Sequence, residues 1–247
     1  GKGTGPDGDD SAGGDVAVTT PMLVLGDGAV IGADTGSDGD AGRVVVRSQS
    51  VSLFGGARIG SDSGLNIGEL ELVGAGAGGT VAIEAAGGQV SLAGSGTTIS
   101  TSTRGSGSGG NVGINAAQLA LDGGATIAAS TTGAGAAGQI DITATEALRL
   151  KGIGTGVSTA TEGAGAGGSL TVQAPSMSLE EGAAIFADTT GDGDAGGVRI
   201  NVWDAGSLSL RSGARISSQS GREDGAVGAA SGGTVTIEAA GGAVSLA

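Results

Sequence analysis

The chain has 247 residues, a formal charge of −14 and a sequence pI of about 4.1. Its 11 Lys and Arg never cluster, so a nucleic-acid backbone or an anionic membrane surface would be repelled. With 56 Gly, three aromatic residues (Phe54, Phe186, Trp203) and no Cys, His or Tyr, it has no disulfides, thiol chemistry, Cys–zinc sites or histidine acid–base chemistry.

Apolar residues make up 38% of the chain and are regularly spaced, which favours a folded repeat over a low-complexity coil. There is no run of 18 apolar residues, so no transmembrane segment is expected. The opening GKGTGPDGDD reads as a loop, and residues 1–13 are expected to belong to a preceding coil, the chain being cut from a longer protein at both ends.

Eight repeat starts follow, at Gly14, Gly42, Gly79, Gly110, Gly138, Gly168, Gly197 and Gly233, with spacings of 28, 37, 31, 28, 30, 29 and 36. A first segment alternates with period two: Val16/Val18, Val44/Val46, Val81/Ile83, Val112/Ile114, Ile140/Ile142, Leu170/Val172, Val198/Ile200 and Val235/Ile237. Period two means a strand with one buried face. After a short break, twice marked by proline (Pro21, Pro175), a second segment does the same, from Leu23/Leu25 to Val244/Leu246. A third segment carries one large apolar residue (Ile31, Ile59, Ile99, Ile127, Val157, Ile185, Ile216), then a small residue two positions on.

Three short strands in constant order pair most simply with the same strands of the next repeat. The fold class is therefore all-β: a parallel β-helix of about eight coils, three short strands and about 30 residues each, rising about 4.8 Å per coil and right-handed by the rule for parallel crossovers. Residues 14–247 form one such solenoid, cut mid-coil at its end. Two coils are long; the excess of one, 61–78, predicts an extra strand pair and that of the other, 218–232, a bare loop. A higher period overlies the coils. GGTVAIEAAGGQVSLA (78–93) returns at 232–247 with 14 of 16 positions identical, an offset of 154 residues or five coils, and 21–42 matches 175–196 at the same offset.

GGNVGINAAQLALDGGATIAASTTGAGAAGQIDITA (109–144) and QAPSMSLEEGAAIFADTTG (173–191) resemble the repeats of large exoproteins of the filamentous-haemagglutinin type, the exported partners of two-partner secretion systems. The likeness covers almost all of 14–247. It implies a right-handed β-helix, export to the bacterial surface or outside the cell, and a role in adhesion, matrix or surface structure. Independently of it, the strand edges of the end coils are expected to pair with further coils of the same chain or another copy, and the alternative is an adhesin whose long coils, 61–78 and 218–232, grip a glycan or protein. The family's secretion-targeting domain has no counterpart here.

For chemistry, the Asp-rich loops come first. Asp34, Asp38 and Asp40 recur as Asp188, Asp192 and Asp194, with Asp7, Asp9 and Asp10 one coil earlier. Alternating carboxylates with intervening glycine suit a hard cation such as Ca²⁺, although the spacing is neither an EF-hand nor the nonapeptide calcium repeat. The alternative is a solvated acidic edge. Paired carboxylates can also cleave glycosides, but Glu84 and Glu238 have no acidic neighbour in sequence, and no enzyme is expected. The Ser/Thr runs 97–106 and 126–132 lack a regular T-x-T on every coil, so small polar residues at a loop edge explain them better than a flat hydroxyl face. Trp203 is expected to cover a corner.

Overall fold

The computed structural model describes residues 12–247 except 37, 68, 69, 73 and 222–229. The loop with Asp7, Asp9 and Asp10 and most of the second long excess lie outside the described residues.

Strands form where the alternation places them. The first coil carries β1 (Val16–Thr19), β2 (Met22–Leu25) and β3 (Val30–Gly32). The second carries β4 (Arg43–Arg47), β5 (Ser50–Phe54) and β6 (Arg58–Gly60), then an antiparallel pair, β7 (Leu65–Ile67) and β8 (Leu70–Leu72), at the expected extra strand pair. Three coils follow with β9 (Thr80–Ala93) and β10 (Thr98–Ser100), β11 (Asn111–Asp122) and β12 (Thr126–Ala128), and β13 (Gln139–Lys151) and β14 (Gly156–Ser158). The rest are β15 (Ser169–Gln173), β16 (Ser176–Glu180), β17 (Ala184–Phe186), β18 (Gly197–Val202), β19 (Ser207–Leu210), β20 (Arg215–Ser217), β21 (Thr234–Ala239) and β22 (Ala243–Leu246).

Among the described residues, strand pairing apart from β7–β8 is parallel, each strand with its counterpart in the neighbouring coil. The molecule is a β-solenoid of about 30 residues per turn, and its complete turns number about six, slightly fewer than the eight expected. The last coil contributes β21 and β22 without a described third strand, and the coil before it is only partly described.

A second difference concerns the sheets. First and second segments share one 13-stranded sheet because β9, β11 and β13 run through the corner expected to separate them; the third segments form a separate seven-stranded sheet. The bend survives as a register irregularity between Ala116 and Gln118. Buried Ala85, Ala116, Ala144 and Ala174 turn it, being small enough for the chain to fold close to the axis. Where Pro21 or Pro175 stands at the corner, the missing N–H breaks the strand.

The core is a set of columns. Val44, Val81, Val112, Ile140, Leu170 and Val198 stack in register through successive coils, as do Ile59, Ile99, Ile127, Val157 and Ile185, and all are buried. Burying each such side chain contributes about 1.5–3 kcal/mol before chain entropy is counted. The last coil has a described neighbour on one side only, and Val235, Ile237, Val244 and Leu246 are correspondingly exposed.

The loop after the third segment is built by glycine and hydroxyl. Thr35, Ser63, Thr103, Thr131, Thr161, Thr189 and Ser220 form a continuous ladder of parallel bridges. The side chains of Thr103, Thr161 and Thr189 are buried and donate to the carbonyls of Ser108, Ala166 and Asp194, at 2.8, 3.0 and 3.2 Å, folding each loop back on its coil. Several Ser/Thr residues expected at a loop edge are therefore inside, Thr97 and Thr101 among them. Gly105, Gly133, Gly163 and Gly191 stack so closely that a Cβ on any of them would overlap the carbonyl oxygen of the glycine one coil earlier.

Candidate functional site

The seven-stranded sheet has one short row of outward side chains on each side of its isoleucine column. Before the isoleucine come Val30, Arg58, Thr98, Thr126, Gly156, Ala184 and Arg215; after it come Gly32, Gly60, Ser100, Ala128, Ser158, Phe186 and Ser217. Two places on this face combine charge with an unusual local environment, and they fall at equivalent positions of the 154-residue repeat.

The first is centred on Arg58. Its Nη1 and Nη2 donate to the two carboxylate oxygens of Asp34, at 2.8 and 2.7 Å, and Nη2 also reaches Asp62 at 2.6 Å. Nε donates to the Ser100 hydroxyl at 3.2 Å, and that hydroxyl donates to Asp62 at 3.0 Å. Side-chain exposures near 20% make this a half-buried cluster spanning three coils. Gly32 and Gly60 make room for it, since a Cβ on Gly60 would overlap the guanidinium. Burial disfavours the Asp34 charge, but the hydrogen bonds from Arg58 and the Asp62 N–H, together with the Arg58 charge, outweigh it and hold the pKa below the usual aspartate value. Burial likewise works against the Arg58 charge, and the hydrogen bond and charge of Asp34 with those of Asp62 raise its pKa.

The remaining calcium candidates make bonds of a related kind. Asp38 and Asp40 accept the N–H groups of Ala75 and Ala77 in the next coil, at 2.9 and 2.8 Å. Asp188 accepts from the Ser217 hydroxyl and the Gln219 N–H, and Asp194 from the Ser231 N–H. Asp192 is exposed on the same loop as Asp194. Asp15 and Asn111 do likewise toward Arg43 and Gln139, two positions that the spacing of acids does not mark. Among the described residues no group of three or more acidic side chains is gathered around a point where a metal ion would sit. Glu84 and Glu238 each pair with an arginine of an adjacent coil, Arg47 at 2.8 Å and Arg199 at 3.4 Å. Trp203 is half-buried in the corner after β18, its carbonyl accepting the Gly206 N–H.

The second place is a cleft of about 340 Å³ across β12, β14, β17 and β20, lined among others by Thr126, Gly156, Ser158, Gly182, Phe186 and Arg215. The Phe186 ring leans over Gly156 of the preceding coil, and the Arg215 guanidinium lies 5.7 Å from its centroid, within cation–π range. None of the lining residues is acidic. Nothing in the sequence separates Phe186 from a core aromatic except its place one residue after Ile185, which is an outward place in a strand.

Compared with protein-family models, curated proteins and solved structures, the chain matches none.

Proposed function

We propose that this chain is a segment of a long secreted or cell-surface β-helical fibre, an extracellular structural element of the filamentous-haemagglutinin type. One observation supports this most directly: the carboxylates that looked most reactive make bonds from one coil to the next. Asp34, Asp38, Asp40, Asp188 and Asp194 each accept a backbone N–H from the following coil, reinforcing the ladders along the axis. A stack of this kind is stabilised by neighbour on neighbour, so its natural extension is more coils, from the same chain or another copy. Calcium bound at the acidic loops would add a further tie between coils.

The test is length. Two and three tandem copies of residues 79–232 are imaged by electron microscopy and measured by small-angle scattering. A fibre grows by roughly 24 Å per added five-coil unit at constant cross-section. Particles that thicken or collapse instead of lengthening would refute the reading. Extracellular location is checked by fractionating the source cells and probing each fraction with an antibody.

An adhesin is the second reading, favoured by β7–β8, which departs from the parallel stacking inside the long excess 61–78. A glycan array with wild type and a 61–78 deletion separates the two; saccharide binding that disappears with the deletion selects the adhesin.

A further inference from the structure

The Phe186–Arg215 cleft has a composition that stapling does not explain. On a chain with a net charge of −14, most arginines on described strands face a carboxylate: Arg47 with Glu84, Arg58 with Asp34 and Asp62, Arg149 with Glu180, Arg199 with Glu238. Arg215 instead lies over an aromatic ring at the rim of a cavity with no acidic lining residue. The internal repeat supplies the control. Arg58 occupies the same place in the earlier copy and is closed off by two aspartates. At the later copy three substitutions remove that closure. Phe186 stands where Gly32 stands, Ser217 replaces Gly60, and Gln219 replaces Asp62. Asp188, the counterpart of Asp34, accepts from Ser217 and Gln219 instead.

We propose that this cleft binds a carboxylate-bearing sugar ring, a uronate unit of an acidic polysaccharide. The proposal goes beyond the fibre reading and does not depend on it. The guanidinium offers a planar fork of donors matched to a carboxylate. Thr126 and Ser158 line the cleft with hydroxyl-bearing side chains, the Thr126 hydroxyl donating to Thr98 and left free to accept. Phe186 gives an apolar wall for the C–H face of a ring. A ligand that satisfies all three must carry one anion, several hydroxyls and an apolar face. The cleft crosses four strands, about 14 Å along the axis, which leaves room for neighbouring units of the same polymer.

Isothermal titration of the whole chain with trigalacturonate tests this, with neutral galactotriose and inorganic sulfate in parallel. Saturable binding of trigalacturonate is expected, with neither control competing. Arg215→Ala weakens it about tenfold or more, the loss of a charge-assisted pair. Arg215→Lys, which keeps the charge and loses the fork, and Phe186→Ala each weaken it several-fold, while Arg43→Ala leaves it unchanged. Circular dichroism verifies that each variant is folded. Absence of saturable binding, equal binding of galactotriose, equal competition by sulfate, or an affinity indifferent to Arg215→Ala would each overturn the proposal.

Discussion

Arg58 and Arg215 begin from the same coil position and end in opposite states. Arg58 lies flat across two glycines, locked by Asp34 and Asp62 on neighbouring coils. Arg215 has a serine and a phenylalanine where those glycines were, and it stands over the ring instead. In a solenoid the backbone scaffold is repeated, so a few outward side chains are enough to turn a staple into an open cleft. Beneath Arg58, Ile59 is fully buried between two coils, whereas Ile216 beneath Arg215 is only partly buried, because β20 is the edge strand of its sheet.

The largest expected difference is in stability. Arg58→Ala leaves two half-buried carboxylates facing each other and should destabilise by about 2–3 kcal/mol, whereas Arg215→Ala should change stability by less than about 0.5 kcal/mol. Urea denaturation of the two variants measures both; equal losses would dissolve the contrast.

The acid limb of the stability curve gives the next effect. The Asp34 pKa is lowered in the folded state, so its contribution is fully present above the unfolded-state value and is lost as pH falls through the folded one. Asp34→Asn should therefore be less stable than wild type at pH 7, with the gap closing from about pH 4 downward. A gap at Asp34 that persists unchanged to pH 2 would mean that packing, rather than charge, holds the cluster.

Converting the later site into the earlier one sharpens the comparison further. With Asp188 already in place of Asp34, Phe186→Gly with Ser217→Gly and Gln219→Asp restores the two glycines and two aspartates around Arg58, though not Ser100 of the following coil. The triple variant should gain about 1 kcal/mol from a closed ion cluster, reduced by the lost contacts of the ring. It should also lose any uronate affinity. A variant that stays open, with unchanged salt dependence of stability, would show that the geometry of the coil and not these three residues sets the state of the arginine.

How far the sequence reached follows from which quantities are periodic. Alternation at Val81, Ile83, Val90 and Leu92 fixes which face is buried, and the spacing of coils fixes which residues stack. The corner alanines and the Thr103–Thr131–Thr161 column were less visible, because small and hydroxyl residues look like loop filler until the loop is known to fold back over them. The Arg58 cluster needed more still. Arg58 and Asp34 are 24 residues apart, and they meet only because Gly32 and Gly60 remove the two Cβ atoms between them. A pairing that depends on absent atoms leaves no pattern of its own in the sequence.

Calcium provides the smallest predicted effect and bears on both sites at once. Asp34, Asp38 and Asp40 in the first copy of the D-T-x-x-D-G-D stretch, and Asp188 and Asp194 in the second, accept N–H groups from the next coil, so a cation would have to compete with bonds already made. A ligand stabilises by RT ln(1 + [L]/Kd), so 1 mM Ca²⁺ with a Kd of about 1 mM would add only about 0.4 kcal/mol, within a degree or two in melting temperature. Melting in 1 mM Ca²⁺ should thus be nearly that in EDTA. A rise of five degrees or more, absent in an Asp38→Asn/Asp192→Asn variant, would instead make the acidic loops cation sites. The coil-to-coil bonds of Asp38 would then be the apo arrangement of a metal clamp.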